Sequence, residues 1–180
     1  MADYIEIKLE PHEVALAFFN AFHDIRESRR QGLKHRGGVA RRAASIWDYN
    51  IDGRGGEIAA ARVLNCYYSN PTNSFSDADV GGVEVKTRRE HHYDLRVRDT
   101  DPDTTIFLLV TGKAWEGYRV HGWIYGHDAK QPEWWNNPDG SDEFGFFVPK
   151  SQLRPIAELP PEATRSIQRR KTNGNGQAAL

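Results

Sequence analysis

The residues best suited to chemistry lie between Asp79 and Lys86, in the run Asp-Val-Gly-Gly-Val-Glu-Val-Lys. Two adjacent glycines between valines are the signal for a hairpin with a two-residue turn, because glycine enters positive φ freely. Counting outward from that turn, Val80 faces Val83, Asp79 faces Glu84, Ala78 faces Val85 and Asp77 faces Lys86. Side chains alternate along a strand, which puts Asp79, Glu84 and Lys86 on one face and Val80, Val83 and Val85 on the other. Opposed residues have Cβ atoms roughly 5 Å apart. Two carboxylates at that separation repel each other unless a cation lies between them, and a hard divalent ion with oxygen ligands suits the pair. The same residues also make an ordinary solvent-facing hairpin with a cross-strand ion pair to Lys86. Spacing alone leaves both readings open, and it leaves Asp77 as a rival to Asp79 or as the partner of Lys86.

Phosphodiester hydrolysis needs an activated water and relief for the negative charge that gathers on the phosphate oxygens. Magnesium, with manganese as a substitute, meets both needs when one or two carboxylates hold it and several waters remain bound. In that arrangement Asp79 and Glu84 bind the ion, and the carbonyl of Val85 completes the protein's share. Lys86 orients or deprotonates the water, or steadies the charge at phosphorus. Beside two acids a lysine tends to stay protonated, which favours the electrostatic role.

Asp79 followed by Glu84-Val85-Lys86 resembles the PD-(D/E)xK nuclease superfamily, in which an acid on one strand precedes Glu/Asp-x-Lys on the next. Ala78 stands where the nominal motif has proline, a position that varies in the family. The resemblance implies a restriction-endonuclease-like fold, a mixed β-sheet flanked by helices, and metal-dependent hydrolysis of DNA. It also implies a catalytic role for Glu57, the family's frequent extra acid on the preceding helix, acting on the metal through water. The likeness in element order covers about residues 55–148. Segments such as Val120-His121-Gly122-Trp123-Ile124 and Phe147-Val148-Pro149 are similar to those of small phage-type members. The alternative is a catalytically silent nucleic-acid-binding module of the same fold. Such a copy would tend to lose Asp79, Glu84 or Lys86, and all three are present. A third reading is an unrelated small α+β interaction protein.

The elements that must position these residues follow from periodicity and punctuation. Residues 4–9 alternate as a short strand. Pro11 opens a helix with Val14, Phe18, Phe22 and Ile25 at helical spacing, ending near Gly32, and its aromatics are expected to pack on the main body. A second helix is expected over 39–49. Gly53 and Gly55-Gly56 read as punctuation before a helix over 57–64. Strands are predicted at 74–80, 83–89, 95–98, 105–111, 118–125 and 144–148. The continuously apolar 106–110 suits a central strand covered on both faces. Residues 130–142 read as a loop, Pro160-Pro161 introduces a short helix, and the composition from 171 onward predicts disorder. The expected fold class is α/β or α+β. Three parts are expected: 1–50, an N-terminal strand and basic helical extension on the core; 51–165, the nuclease-like core; and 166–180, a basic tail. No long helix is read between the later strands, so the N-terminal helices or 160–170 must cover the second face.

A chain of 180 residues with 38% hydrophobic and 27% charged residues makes one polar globular domain. Its one cysteine, Cys66, excludes an internal disulfide framework and is expected to be a buried small residue. No apolar run has transmembrane length and the start is acidic, so no membrane partner and a cytoplasmic location are expected. Net charge of −1 gives no global argument for nucleic acid. Locally, Arg26, Arg29, Arg30, Lys34, Arg36, Arg41 and Arg42 face the single acid Glu27, and Arg165, Arg169, Arg170 and Lys171 form a smaller cluster. Such segments neutralise phosphates or form solvated faces. With DNA as the expected partner, Arg29, Arg30, Arg41, Arg88 and His91 are the expected substrate contacts. A homodimer is compatible with this reading. Adjacent histidines on a strand point oppositely, so only one of His91 and His92 can serve. His121, His127 and Asp128 make a weak metal pattern that lacks a well-spaced third ligand. Trp134-Trp135 in a polar loop offers stacking surfaces for unpaired bases, whereas Trp123 is expected in the core.

Overall fold

The computed structural model describes residues 4–32, 46–68, 78–138 and 144–164. Its main sheet has the order β1-β5-β4-β2, from strands Ile5–Ile7 (β1), Val83–Arg88 (β2), Ile106–Lys113 (β4) and Gly117–Tyr125 (β5). β2 runs parallel to β4, while β4–β5 and β5–β1 are antiparallel, so the sheet is mixed. A second, antiparallel sheet has the order β3-β7-β6, from Leu95–Val97 (β3), Trp135–Asn136 (β6) and Gly145–Val148 (β7). The mixed α+β class expected from the sequence is present. No helix among the described residues is long and apolar enough to cross a membrane.

Strand β4 is central: all but its last residue are buried, as its unbroken apolar run requires. Ile106, Leu108 and Val110 turn to one side, where Val83 and Val85 of β2 join them against helices Pro11–Arg30 (α1) and Ile46–Val63 (α2). Phe107 and Leu109 turn to the other side and meet Leu95, Val97, Phe146 and Val148 of the second sheet. Helices therefore cover one face and a small sheet covers the other. The second flanking element sought among the N-terminal helices or at 160–170 is that sheet. Within the last segment only the short helix Pro161–Thr164 (α4) is described.

Helix α1 starts at Pro11, with the Glu10 N–H donating to the Glu13 carboxylate (2.7 Å), a reciprocal use of the first turn. Its buried stripe is Val14, Ala17, Ala21 and Ile25, with Asn20 and Asp24 beside it. Phe18 and Phe22 pack on the main body, as expected, but at its edge rather than in the core. They are 44% and 48% exposed and stack on Trp47, with ring centroids 6.2 and 6.1 Å apart. Small alanines let α1 approach α2 closely, which leaves the larger rings at the edge of the contact.

The glycines expected to break the chain before Glu57 do not. Helix α2 runs straight through Gly53, Gly55 and Gly56. A Cβ on Gly55 would lie 2.2 Å from the Tyr118 hydroxyl oxygen, and one on Gly56 would lie 2.1 Å from Thr87 Oγ1. Missing side chains here allow the helix to lie directly on the sheet, an advantage that outweighs the weak helix propensity of glycine. Of the second expected helix, 39–45 lies outside the described residues and 46–49 is the first turn of α2. The remaining short helix, Gly126–Ala129 (α3), follows β5 directly.

Candidate metal and nucleic-acid site

The Gly81-Gly82 turn forms. Val80 and Val83 exchange both backbone hydrogen bonds (3.1 and 2.9 Å), and Gly81 takes φ of +59°. The Gly82 N–H is held by the Ala163 carbonyl (2.8 Å), so α4 packs against the turn. The hairpin does not extend beyond this bridge. Asp79 is not in a strand opposite Glu84; its Oδ2 instead accepts the Val85 N–H at 2.8 Å. In a continued ladder that N–H would be bonded by the backbone of Ala78. The aspartate side chain takes it and ends the pairing, a familiar competition between short acids and the backbone. Residues 74–77 of the expected strand, Asp77 among them, lie outside the described residues.

The expected division of faces holds for β2 itself. Val83 and Val85 are buried against the helices, and Glu84 and Lys86 lie on the opposite face with side chains 33% and 20% exposed. Asp79 stands at the open edge, since β2 is the outermost strand of its sheet. One residue's N–H and C=O leave a strand on the same side, so the Val85 carbonyl faces that edge together with its N–H and Asp79. Asp79 is thus placed between a carboxylate on each face, Glu57 from α2 and Glu84 from β2. Burial pushes its pKa well above the usual carboxylate range, and the negative charges of Glu57 and Glu84 push in the same direction. The Val85 hydrogen bond and the Lys86 charge oppose this shift without cancelling it.

Glu57 is tied into a network that the sequence reading missed. Its Oε2 accepts from Arg54 (2.8 Å) and from the Tyr68 hydroxyl (2.9 Å), while Arg54 also pairs with Asp24 of α1 (2.6 Å). Burial raises the Glu57 pKa, opposed by the Arg54 guanidinium, and burial with the Glu57 charge raises that of Tyr68. Arg54 and Glu57 are three apart on one helix, a spacing that makes them neighbours, and this was the readable signal. Lys86 Nζ lies 3.2 Å from Glu84 Oε1 and 3.5 Å from Asp101 Oδ2, and 5.0 Å from the centroid of the Phe107 ring. Asp101 is a partner that nothing in the local sequence announced. Among the described residues, no three His, Cys, Asp or Glu side chains form a ready metal cage.

The remaining sites separate. Arg29 and Arg30 are exposed at the end of α1, and Arg30 is clamped by Glu27. Arg41 lies outside the described residues. Arg88 lies over the rings of Tyr93 (4.8 Å) and Phe147 (5.7 Å). His91 Nδ1 is 3.0 Å from Thr111 Oγ1, which is 2.7 Å from His121 Nε2. Burial lowers both histidines, His121 to about 4, so the chain of three is neutral at physiological pH. His127 contacts Asp103 and Asp128, and Asp128 pairs with Arg154, so His121, His127 and Asp128 form no common cluster. Trp123 is core, as expected. Cys66 is half-buried rather than buried, and its thiol donates to the Thr164 carbonyl (3.0 Å).

Comparison with family models, with curated proteins and with solved structures gave no match.

Proposed function

We propose that this chain is a divalent-metal-dependent nuclease of the PD-(D/E)xK kind that hydrolyses DNA. The observation that carries the reading is Asp79: a half-buried acid at an open strand edge, repelled by the charges of Glu57 and Glu84. A divalent ion would relieve that repulsion, and the donor set of carboxylates plus one carbonyl is the oxygen set that magnesium or manganese prefers. The residues that would hold it are Asp79, Glu84 and the Val85 carbonyl. Glu57, engaged by Arg54 and Tyr68, would act from the outer sphere through water. When bound, the ion supplies an activated water and charge relief at phosphorus.

Each residue then has a defined task. Asp79 is oriented by the Val85 N–H, so its free oxygen is fixed relative to the strand edge. Lys86, paired with Glu84 and Asp101, presents a charged ammonium on the same face as Glu84, where it can hold a phosphate oxygen. Arg54 opposes the effect of burial on Glu57 and directs its carboxylate. Arg29, Arg30, Arg41, Arg88 and His91 are the proposed contacts to the DNA backbone, with binding that weakens as salt rises.

The test is calorimetric titration with manganese and magnesium, followed by a cleavage assay across single-stranded, nicked, branched and duplex DNA. Saturable metal binding that is lost in Asp79→Ala, with cleavage that needs the metal, is the expected result. Binding of DNA without cleavage of any substrate favours the silent module instead. Full cleavage by purified Glu84→Ala protein refutes the assignment.

A further inference from the structure

Strand β2 continues past the acids. Glu84, Lys86 and Arg88 share one face, and Arg88 lies roughly 7 Å beyond Lys86 along the strand. A cleft of about 560 Å³ opens there. Its walls include the rings of Tyr93, Trp134 and Phe147, with Arg88 among them and Asp94 and Glu133 at the side. The Arg88 guanidinium lies 4.8 Å from the Tyr93 centroid and 5.7 Å from that of Phe147, so planar groups already stack in this space. Asp94 is paired with Lys150 (3.6 Å), and Glu133 is exposed.

We infer that this cleft takes one unpaired base of the DNA strand, next to the phosphate held by the acids and Lys86. The inference rests on the proposed nuclease site and adds to it the class of substrate. Three observations converge on a base. The volume is in the range of small-ligand pockets and holds a nucleotide unit. Several rings and a guanidinium offer sequence-tolerant stacking on a π-face, which a base exposes only outside the duplex. The Glu133 carboxylate accepts hydrogen bonds, as an exocyclic amino group requires. The step from Lys86 to Arg88 is a distance that one unstacked nucleotide bridges. Single-stranded DNA, or DNA with an unpaired end beside the scissile bond, is therefore the preferred substrate.

Fluorescence of 2-aminopurine, which falls when the base stacks, reads this pocket directly. The full chain carrying Glu84→Ala is titrated in chelator with a short single-stranded oligonucleotide containing one such base, so neither hydrolysis nor metal enters the measurement. Saturable quenching is expected, with binding about tenfold tighter than to the same oligonucleotide annealed to its complement. Tyr93→Ala and Trp134→Ala should each weaken it by roughly five- to 150-fold, since stacking contributes about 1–3 kcal/mol per base and about 1.4 kcal/mol is tenfold. Trp134→Phe, which keeps a ring, should restore most of it. Trp134 also packs against the core of the second sheet, so Tyr93→Ala decides the matter if Trp134→Ala fails to fold. Equal binding of single strand and duplex, or undiminished quenching in folded Tyr93→Ala protein, overturns the pocket. Cleavage by the unsubstituted chain without quenching also refutes the pocket while keeping the nuclease. Quenching without cleavage keeps the pocket and refutes the nuclease.

Discussion

Two acids, Asp52 within helix α2 and Asp79 beside the edge of β2, show how differently the fold treats a carboxylate. Asp52 is 4% exposed, and burial raises its pKa. Its surroundings answer part of that burial: the Ala114 N–H donates to Oδ1 (3.0 Å), and Arg89 Nε lies 2.7 Å from Oδ2 as an ion pair without hydrogen-bond geometry. The Asp52 carbonyl takes the Tyr118 hydroxyl (2.9 Å), so the whole residue is anchored between α2 and the β4–β5 turn. Asp79 is half-buried, and the charges acting on it are the carboxylates of Glu57 and Glu84, opposed by Lys86. Burial acts alike on both. The neighbouring charge separates them: at Asp52 the Arg89 cation outweighs the carboxylate of Asp48, whereas at Asp79 the carboxylates of Glu57 and Glu84 add to the effect of burial.

Exchanging the two acids for neutral residues should break this comparison in opposite ways. Asp79→Ala and Glu84→Ala should lower metal-dependent cleavage on the order of a thousandfold, the scale of losing a charge-stabilising group at a reacting centre. Stability should stay within about 1 kcal/mol of the original, because relief of repulsion offsets the lost Val85 hydrogen bond. Asp52→Ala should do the reverse. It strands Arg89 and the Ala114 N–H, and urea denaturation should show a loss of about 3 kcal/mol with cleavage retained in the folded fraction. Equal loss of activity in both variants would erase the distinction.

A smaller effect lies in pH. Both acids titrate near 3.8 when unfolded and higher when folded. The folded chain therefore binds more protons across that interval. In chelator the contribution of each acid to stability is full below 3.8 and is lost as pH rises through its raised folded value. Thermal melts from about pH 4 to about pH 8 should show that decline, and either Asp79→Asn or Asp52→Asn should flatten it. Magnesium should flatten only the Asp79 part, so a metal effect that persists in Asp79→Asn protein would place the ion elsewhere.

The smallest effects separate the glycines of α2. Gly53 has open space around it, and Gly53→Ala should stabilise by up to about 1 kcal/mol through helix propensity. Gly55→Ala and Gly56→Ala should each destabilise by about 1–3 kcal/mol through overpacking, measured by denaturation. Gly55 meets Tyr118, which holds Asp52, and Gly56 meets Thr87 of the strand that carries Glu84 and Lys86. Only the second substitution should also reduce cleavage.

The turn at Gly81-Gly82, the alternation along β2 and the buried run of β4 were legible because each depends on local rules: glycine at positive φ, a period of two, and uninterrupted apolar residues. The same local rules misread Gly55 and Gly56 as breaks, because the reason for them is Tyr118 and Thr87, which lie far along the chain. They also could not reveal that an aspartate side chain would end the hairpin after one bridge, or that Arg54 and Tyr68 would hold Glu57. By itself, then, the sequence determined which residue types were available for chemistry and which of them shared a strand face. The tertiary structure decided which acids face one another across a strand edge, what covers the far side of the sheet, and where an aromatic cleft opens beyond Lys86. Backbone periodicity acts over a few residues, whereas burial and the balance of charge depend on whatever the folded chain brings alongside.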